Sequence, residues 1–169
     1  MIRRQQATAG LVRRCLKQQY ASYSSSLTVR DERFHFMRSL LFIPGNSSKM
    51  LGKMLTVQTS PDAFVPDLED SVPLDAKNEA RKLVRDYIEQ QWIPEAVKQN
   101  RENLPMLIPR VNATLGNDTL FNDIKAMVTE YTDALTFGKA ETAQDVQRIC
   151  AMLDQVEVES NLPRGSIKL

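Results

Sequence analysis

The chain has 169 residues, 42% of them hydrophobic and 25% charged, with a formal net charge of +1 at pH 7. That balance suits one globular domain and excludes a disordered or fibrous chain. No run approaches the roughly 18 apolar residues that a membrane-spanning helix needs.

The charge is unevenly placed. Arg3, Arg4, Arg13, Arg14, Lys17 and Arg30 all precede the first acidic residue, Asp31. From Asp31 onward, 16 of the 22 basic residues face all 21 acidic ones, a net charge of −5. A slightly acidic body is a poor nucleic-acid surface, so neither nucleic acid nor a membrane is an expected partner. Residues 1–30 are rich in Arg and Ser, lack acids, and intersperse Ile2, Leu11, Val12 and Leu16 among the basic residues. This is the composition of a mitochondrial targeting peptide, which predicts cleavage between Leu16 and Ser26 and residence in the matrix. The only cysteines, Cys15 and Cys150, allow no disulfide framework within the body and no thiolate metal site.

From Arg38 onward, short apolar runs alternate with helical patterns, as repeated βα units of a parallel sheet do. The first strand is predicted over residues 39–44 (SLLFIP), then a Gly45-Asn46-Ser47 turn and a helix over 48–55 with Met50, Leu51 and Met54 inward. A second strand is expected over 63–68, with Pro66 implying a bulge or an edge position, since proline gives no ladder donor. A helix should begin near Pro73 or Asp75 and end around Trp92-Ile93-Pro94, burying Ala80, Leu83, Val84, Tyr87 and Ile88. Residues 94–104 read as a loop or short helix. A third strand is expected over 106–111 (MLIPRV), a helix over 120–131, a fourth strand over 133–137, and a helix over 143–159 burying Val146, Ile149, Cys150, Leu153 and Val156. Residues 166–169 look like the start of a fifth strand.

Four βα units and a stub make about half of a (β/α)8 barrel, which typically needs about 250 residues. The expected fold is therefore the N-terminal half of such a barrel over residues 37–169, truncated at Leu169. In parallel α/β folds, chemistry sits at the carboxyl ends of the strands. Those ends here carry Gly45-Asn46-Ser47, Asp67-Leu68-Glu69-Asp70, Arg110 with Asn112, and Gly138-Lys139-Ala140-Glu141. Arg110 offers a planar, always-charged fork for a carboxylate or phosphate, or else an internal salt bridge to Glu69. Asp67, Glu69 and Asp70 could coordinate Mg2+ directly or through water, or equally could position Arg110 and Lys139.

The segments RSLLFIPGN (residues 38–46), PDLEDSVPLDAKNEAR (66–81), PRVN (109–112) and GKAET (138–142) resemble the HpcH/HpaI aldolase and citrate lyase β-subunit family, which includes malyl-CoA, citramalyl-CoA and citryl-CoA lyases. The resemblance implies a Mg2+-dependent lyase that makes or breaks a carbon–carbon bond beside a CoA thioester. It also implies an acyl-CoA or 2-oxoacid substrate and assembly into homotrimers or hexamers. Carried over by position, Arg110 would be the catalytic residue that grips the substrate carboxylate, with Phe42 and Lys53 contacting the acyl-CoA. Asp67, Glu69, Asp70 and Lys139 would support them.

Two departures are visible. Ser47 stands where relatives often have arginine, and Phe137-Gly138-Lys139 replaces an LPK motif. The family's metal ligands, a glutamate and an aspartate on the fifth and sixth strands, would lie beyond Leu169. A non-catalytic half-barrel that binds a partner and a CoA-independent 2-oxoacid aldolase are the competing expectations.

Overall fold

The computed structural model describes residues 33–169, so the targeting-peptide expectation for residues 1–30 lies outside the described residues. From Met37 to Leu169 the chain forms one compact unit. In chain order its elements are β1 (Leu40–Pro44), α1 (Ser48–Leu51), β2 (Ala63–Asp67), a 3-10 turn (Leu74–Ala76) and α2 (Lys77–Tyr87). A π-helical turn (Ile88–Trp92), α3 (Ile93–Gln99), a second 3-10 turn (Arg101–Asn103), β3 (Met106–Leu107) and β4 (Arg110–Val111) follow. The last elements are α4 (Asn117–Met127), β5 (Thr136–Phe137) and α5 (Ala143–Glu159).

The strands form one parallel sheet in the order β1-β2-β4-β5, with β3 also beside β2. This is the α/β architecture expected of the first four units of a barrel. Asp62 fixes the starting register: its carboxylate accepts from the backbone N–H groups of Arg38 and Ser39 and from the Ser39 hydroxyl, each at 2.9 Å. Near Leu169, Leu135 N–H donates to the Lys168 carbonyl at 2.8 Å, and Ala134 bridges Lys168 in parallel. At the residues where a fifth strand is expected there is this isolated parallel bridge and no strand among the described residues.

Pro66 corrects an expectation. It sits within β2, a strand wholly buried and paired on both sides, with unbroken register to β1 and no bulge. Alternation explains how this is tolerated. Ala63 and Asp67 bond toward β1, through Ala63 N–H to Ser39 O and Gly45 N–H to Asp67 O. Phe64 and Leu68 bond the other way, to Ile108 and Arg110. Pro66 shares the second direction, so its missing donor falls opposite the third strand. There the single strand expected over 106–111 divides into β3 and β4.

The core lies between the sheet and the helices. Phe64 and Trp92, both at most 2% exposed, meet edge to face with ring centroids 6.1 Å apart, an arrangement that adds to plain burial. Leu51 and Met54 point inward as expected, but Met50 is 41% exposed, as is Val146 at the start of α5. Cys150 is half-buried. The helix of the second unit does not stop at Trp92: a π-helical turn precedes Pro94, which falls in the first turn of α3, and the helical path runs to Gln99. α5 has the predicted bounds, its start set by a capping box in which Thr142 and Asp145 exchange side-chain and backbone hydrogen bonds.

Candidate functional site

Asp67 ends β2 and faces Arg110 at the same level of β4, the two residues being register partners. The Asp67 carboxylate, 1% exposed, accepts from Arg110 Nε at 2.7 Å and Nη2 at 2.6 Å, and from the backbone N–H groups of Glu69 (2.8 Å) and Ser71 (3.1 Å). Burial alone would raise the Asp67 carboxyl, but the Arg110 hydrogen bonds and those from the turn bring it down to about 2. The same bonds raise Arg110 further above its ordinary value. This two-pronged geometry is the strong form of an arginine–carboxylate contact. The pairing expected with Glu69 is the looser one, Nη1 to Oε2 at 3.4 Å.

The turn that follows is held from below. Lys77 Nζ donates to the Leu68 carbonyl at 2.7 Å and also to the Glu69 carbonyl. Burial pulls the Lys77 ammonium below its usual value, opposed by the field of Asp67. No role for Lys77 follows from sequence; its place in the run PDLEDSVPLDAKNEAR was the available signal. Gly45 allows the ends of β1 and β2 to close: a Cβ there would lie 2.7 Å from the Asp67 carbonyl oxygen. Gly138 is likewise pressed against Glu69, at 3.1 Å from Oε2.

Around this anchor the rim gathers four of the candidate side chains. The Phe42 ring lies over the Arg110 guanidinium, 5.1 Å from centroid to Cζ. Lys139, on the loop after β5, places Nζ 2.7 Å from Asp70 Oδ1 and 3.1 Å from Glu69 Oε1. Asp70 Oδ2 stands 3.3 Å from Arg110 Nη1. The Asp70 carboxyl is lowered by its bond to Lys139, and the Lys139 ammonium is raised by the same bond.

Two candidates lie elsewhere. Lys53 is exposed in the turn after α1, and no contact of its side chain with this group is found among the described residues. Asn112 is buried beneath the rim, donating from its backbone N–H and Nδ2 to Asp123 (2.9 and 2.7 Å) and from Nδ2 to the Leu68 carbonyl (2.8 Å). Asp123 is also bound by Arg81 Nε at 2.7 Å, so this second network joins α2, α4 and β4 rather than serving the rim.

The Mg2+ implied by the resemblance does not fit the acids present. Both Asp67 oxygens are given to Arg110, and Glu69 and Asp70 face Lys139 and Arg110. Among the described residues no three His, Cys, Asp or Glu side chains converge as a metal site would require. Of the two readings open at the level of sequence, the arrangement favours acids that position the cations.

The sequence pattern of the HpcH/HpaI aldolase/citrate lyase family matches residues 38–169. The citrate lyase subunit beta of Leuconostoc mesenteroides subsp. cremoris is 33% identical over 131 residues, covering 76% of this chain and 39% of its own length. The same subunit from Escherichia coli K12 is 32% identical, covering 86% and 44%. A (3S)-malyl-CoA thioesterase of Cereibacter sphaeroides (strain ATCC 17025) is 32% identical over 72% of this chain and 39% of its own length. The chain thus spans roughly two-fifths of the relatives it matches. Among solved structures, Haloferax volcanii malate synthase in a pyruvate/acetyl-CoA ternary complex superposes with a TM-score of 0.62 at 18% identity, over 85% of this chain and 39% of the other. Its magnesium/glyoxylate complex gives 0.62 at 20%, over 78% and 41%. At such identities the likeness speaks for the fold alone.

Proposed function

Because the chain belongs to the HpcH/HpaI aldolase/citrate lyase family, we propose that it forms the carboxylate-gripping half of a carbon–carbon lyase acting on a 3-hydroxyacyl-CoA of the citramalyl-, malyl- or citryl-CoA type. The observation that carries the reading is the state of Arg110. Its Nε/Nη2 edge is fixed by the buried Asp67, Phe42 covers one face of the guanidinium, and Nη1 donates at the rim to the exposed Asp70. An arginine so held cannot swing away and meets a planar anion pre-oriented.

In the proposed reaction the substrate's 3-hydroxyl loses its proton and the adjacent carbon–carbon bond breaks. The bonding pair moves to the carbon beside the thioester, and protonation there yields an acyl-CoA and a 2-oxoacid. Arg110 holds the carboxylate of the 2-oxoacid portion throughout. Phe42 lies where it can pack on the acyl part, and Lys53 is assigned to the CoA arm. The proposed activity depends on Mg2+, with ligands other than Asp67, Glu69 and Asp70. Residence in the mitochondrial matrix and assembly into a trimer or hexamer belong to the same proposal.

The test is direct. The protein purified from its native source would be given each of the three CoA esters, with and without a chelator, while free thiol and 2-oxoacid are followed separately. Matched release of acyl-CoA and 2-oxoacid, lost with the chelator and restored by Mg2+, supports the lyase. Release of free CoA with no 2-oxoacid would instead make it a thioesterase. Turnover of 2-oxoacids without any CoA ester would make it an aldolase.

A further inference from the structure

A deeper reading of this site rests on Arg110 as the carboxylate grip. The three acids of the β2 turn are not equivalent. Asp67 is buried and bound by two donors of Arg110. Glu69, 4% exposed, lies within ion-pair distance of Arg110 and Lys139, yet its two buried oxygens accept no well-aligned hydrogen bond among the described residues. The Asp70 side chain is 58% exposed and bridges the same two cations, one oxygen toward each.

A single carboxylate shared between an arginine and a lysine from different strand ends is the contact a ligand carboxylate would make. Lys139 reaches it from a backbone with φ of 61°, a left-handed conformation that non-glycine residues seldom take and that clusters at functional sites. Lys139 also borders a cleft of about 440 Å3 whose lining includes Thr114, Phe137 and Arg148 together with the acids Glu141 and Asp145. Space for the rest of a ligand therefore adjoins Lys139, one of the two bridged cations.

We propose that Lys139 is the second cation of the carboxylate site and that Asp70 is its resident occupant, displaced from Arg110 and Lys139 when a 2-oxoacid anion arrives. The exchange costs little because an exposed ion pair contributes weakly, and one carboxylate replaces another beside the same two cations. Asp67 cannot exchange in this way, being desolvated and committed to Arg110. Glu69 stays beneath both cations as a fixed counter-charge, so the site is never left with two uncompensated positive groups.

The experiment is calorimetric titration of pyruvate at pH 7 into the full-length native protein and its variants. Asp70→Asn should bind pyruvate about two- to fivefold more tightly than wild type, as expected for removal of an exposed competing ion pair. Adding Lys139→Met to that variant should abolish the gain. Asp70→Ser, a second route to the same release, should behave as Asp70→Asn does. Unchanged or weaker binding in both Asp70 variants, with wild type still binding pyruvate, overturns the exchange and leaves the lyase reading standing. Absence of binding of pyruvate, and of glyoxylate and oxaloacetate titrated in its place, in wild type and variants alike, overturns both.

Discussion

Asp67 and Arg110 stand at the same level of neighbouring parallel strands, joined by two hydrogen bonds of 2.7 and 2.6 Å, with the carboxylate only 1% exposed. Removing the Asp67 charge leaves the largely buried Arg110 with only its looser contacts to Glu69 and Asp70, at 3.4 and 3.3 Å, and losing one partner of such a pair costs more than the pair itself stabilises. Asp67→Asn should therefore lower unfolding stability by about 3 kcal/mol, measured by urea denaturation at pH 7. A loss under about 1 kcal/mol would show that water reaches the pair, as for surface bridges.

The same pair sets an acid limit. The folded carboxyl is depressed from 3.8 to about 2, so the unfolded state binds the proton first. The associated stability is fully present above about pH 4 and is lost as pH falls through 2, amounting to about 2 kcal/mol. Urea midpoints between pH 5 and pH 2 should decline more steeply in wild type than in Asp67→Asn. Parallel declines would place the acid sensitivity elsewhere.

Gly45→Ala tests the closure of β1 on β2. The added methyl would sit 2.7 Å from a backbone oxygen that accepts the Gly45 N–H bond, and backbone cannot move aside as a side chain can. Destabilisation of about 1–3 kcal/mol is expected, with weaker hydrogen-exchange protection at Gly45. An unchanged midpoint would mean that the turn shifts freely.

Lys77→Met keeps the aliphatic stem and removes the ammonium from the Leu68 and Glu69 carbonyls. The expected cost is about 1–3 kcal/mol, with faster amide exchange across residues 67–71. Lys77→Gln should recover part of it by donating one bond. Equal exchange in wild type and Lys77→Met would remove the lysine from any positioning role.

Tyr87→Phe should be neutral or stabilising by up to about 1 kcal/mol, because the Tyr87 hydroxyl is buried without a hydrogen-bond partner among the described residues and burial pushes the phenol pKa above its ordinary value. A clear loss of stability would reveal a bridging water at that hydroxyl.

The succession of βα units was legible because buried parallel strands are written as apolar runs, and amphipathic helices as stripes. The bounds of α5 were legible from its apolar stripe, and its start is fixed locally by the Thr142 capping box. The site was legible as a set of strand ends but not as a set of partners. Which acid faces Arg110 depends on the register between β2 and β4, a long-range quantity that residue types do not encode. The Lys77 tie was invisible because its acceptors are carbonyls, alike at every position. Pro66 was misjudged because the side toward which a strand residue bonds emerges only from the assembled sheet.

The most direct test of Arg110 as the carboxylate grip is the effect of Arg110→Lys on turnover of citramalyl-CoA by the full-length native protein. Lysine keeps the charge but cannot hold Asp67 by two donors and offer another to substrate. The account predicts a fall in kcat/KM of at least about a hundredfold, as for loss of a positioned charged donor, with the folded state retained. A kcat/KM within about threefold of wild type would contradict it.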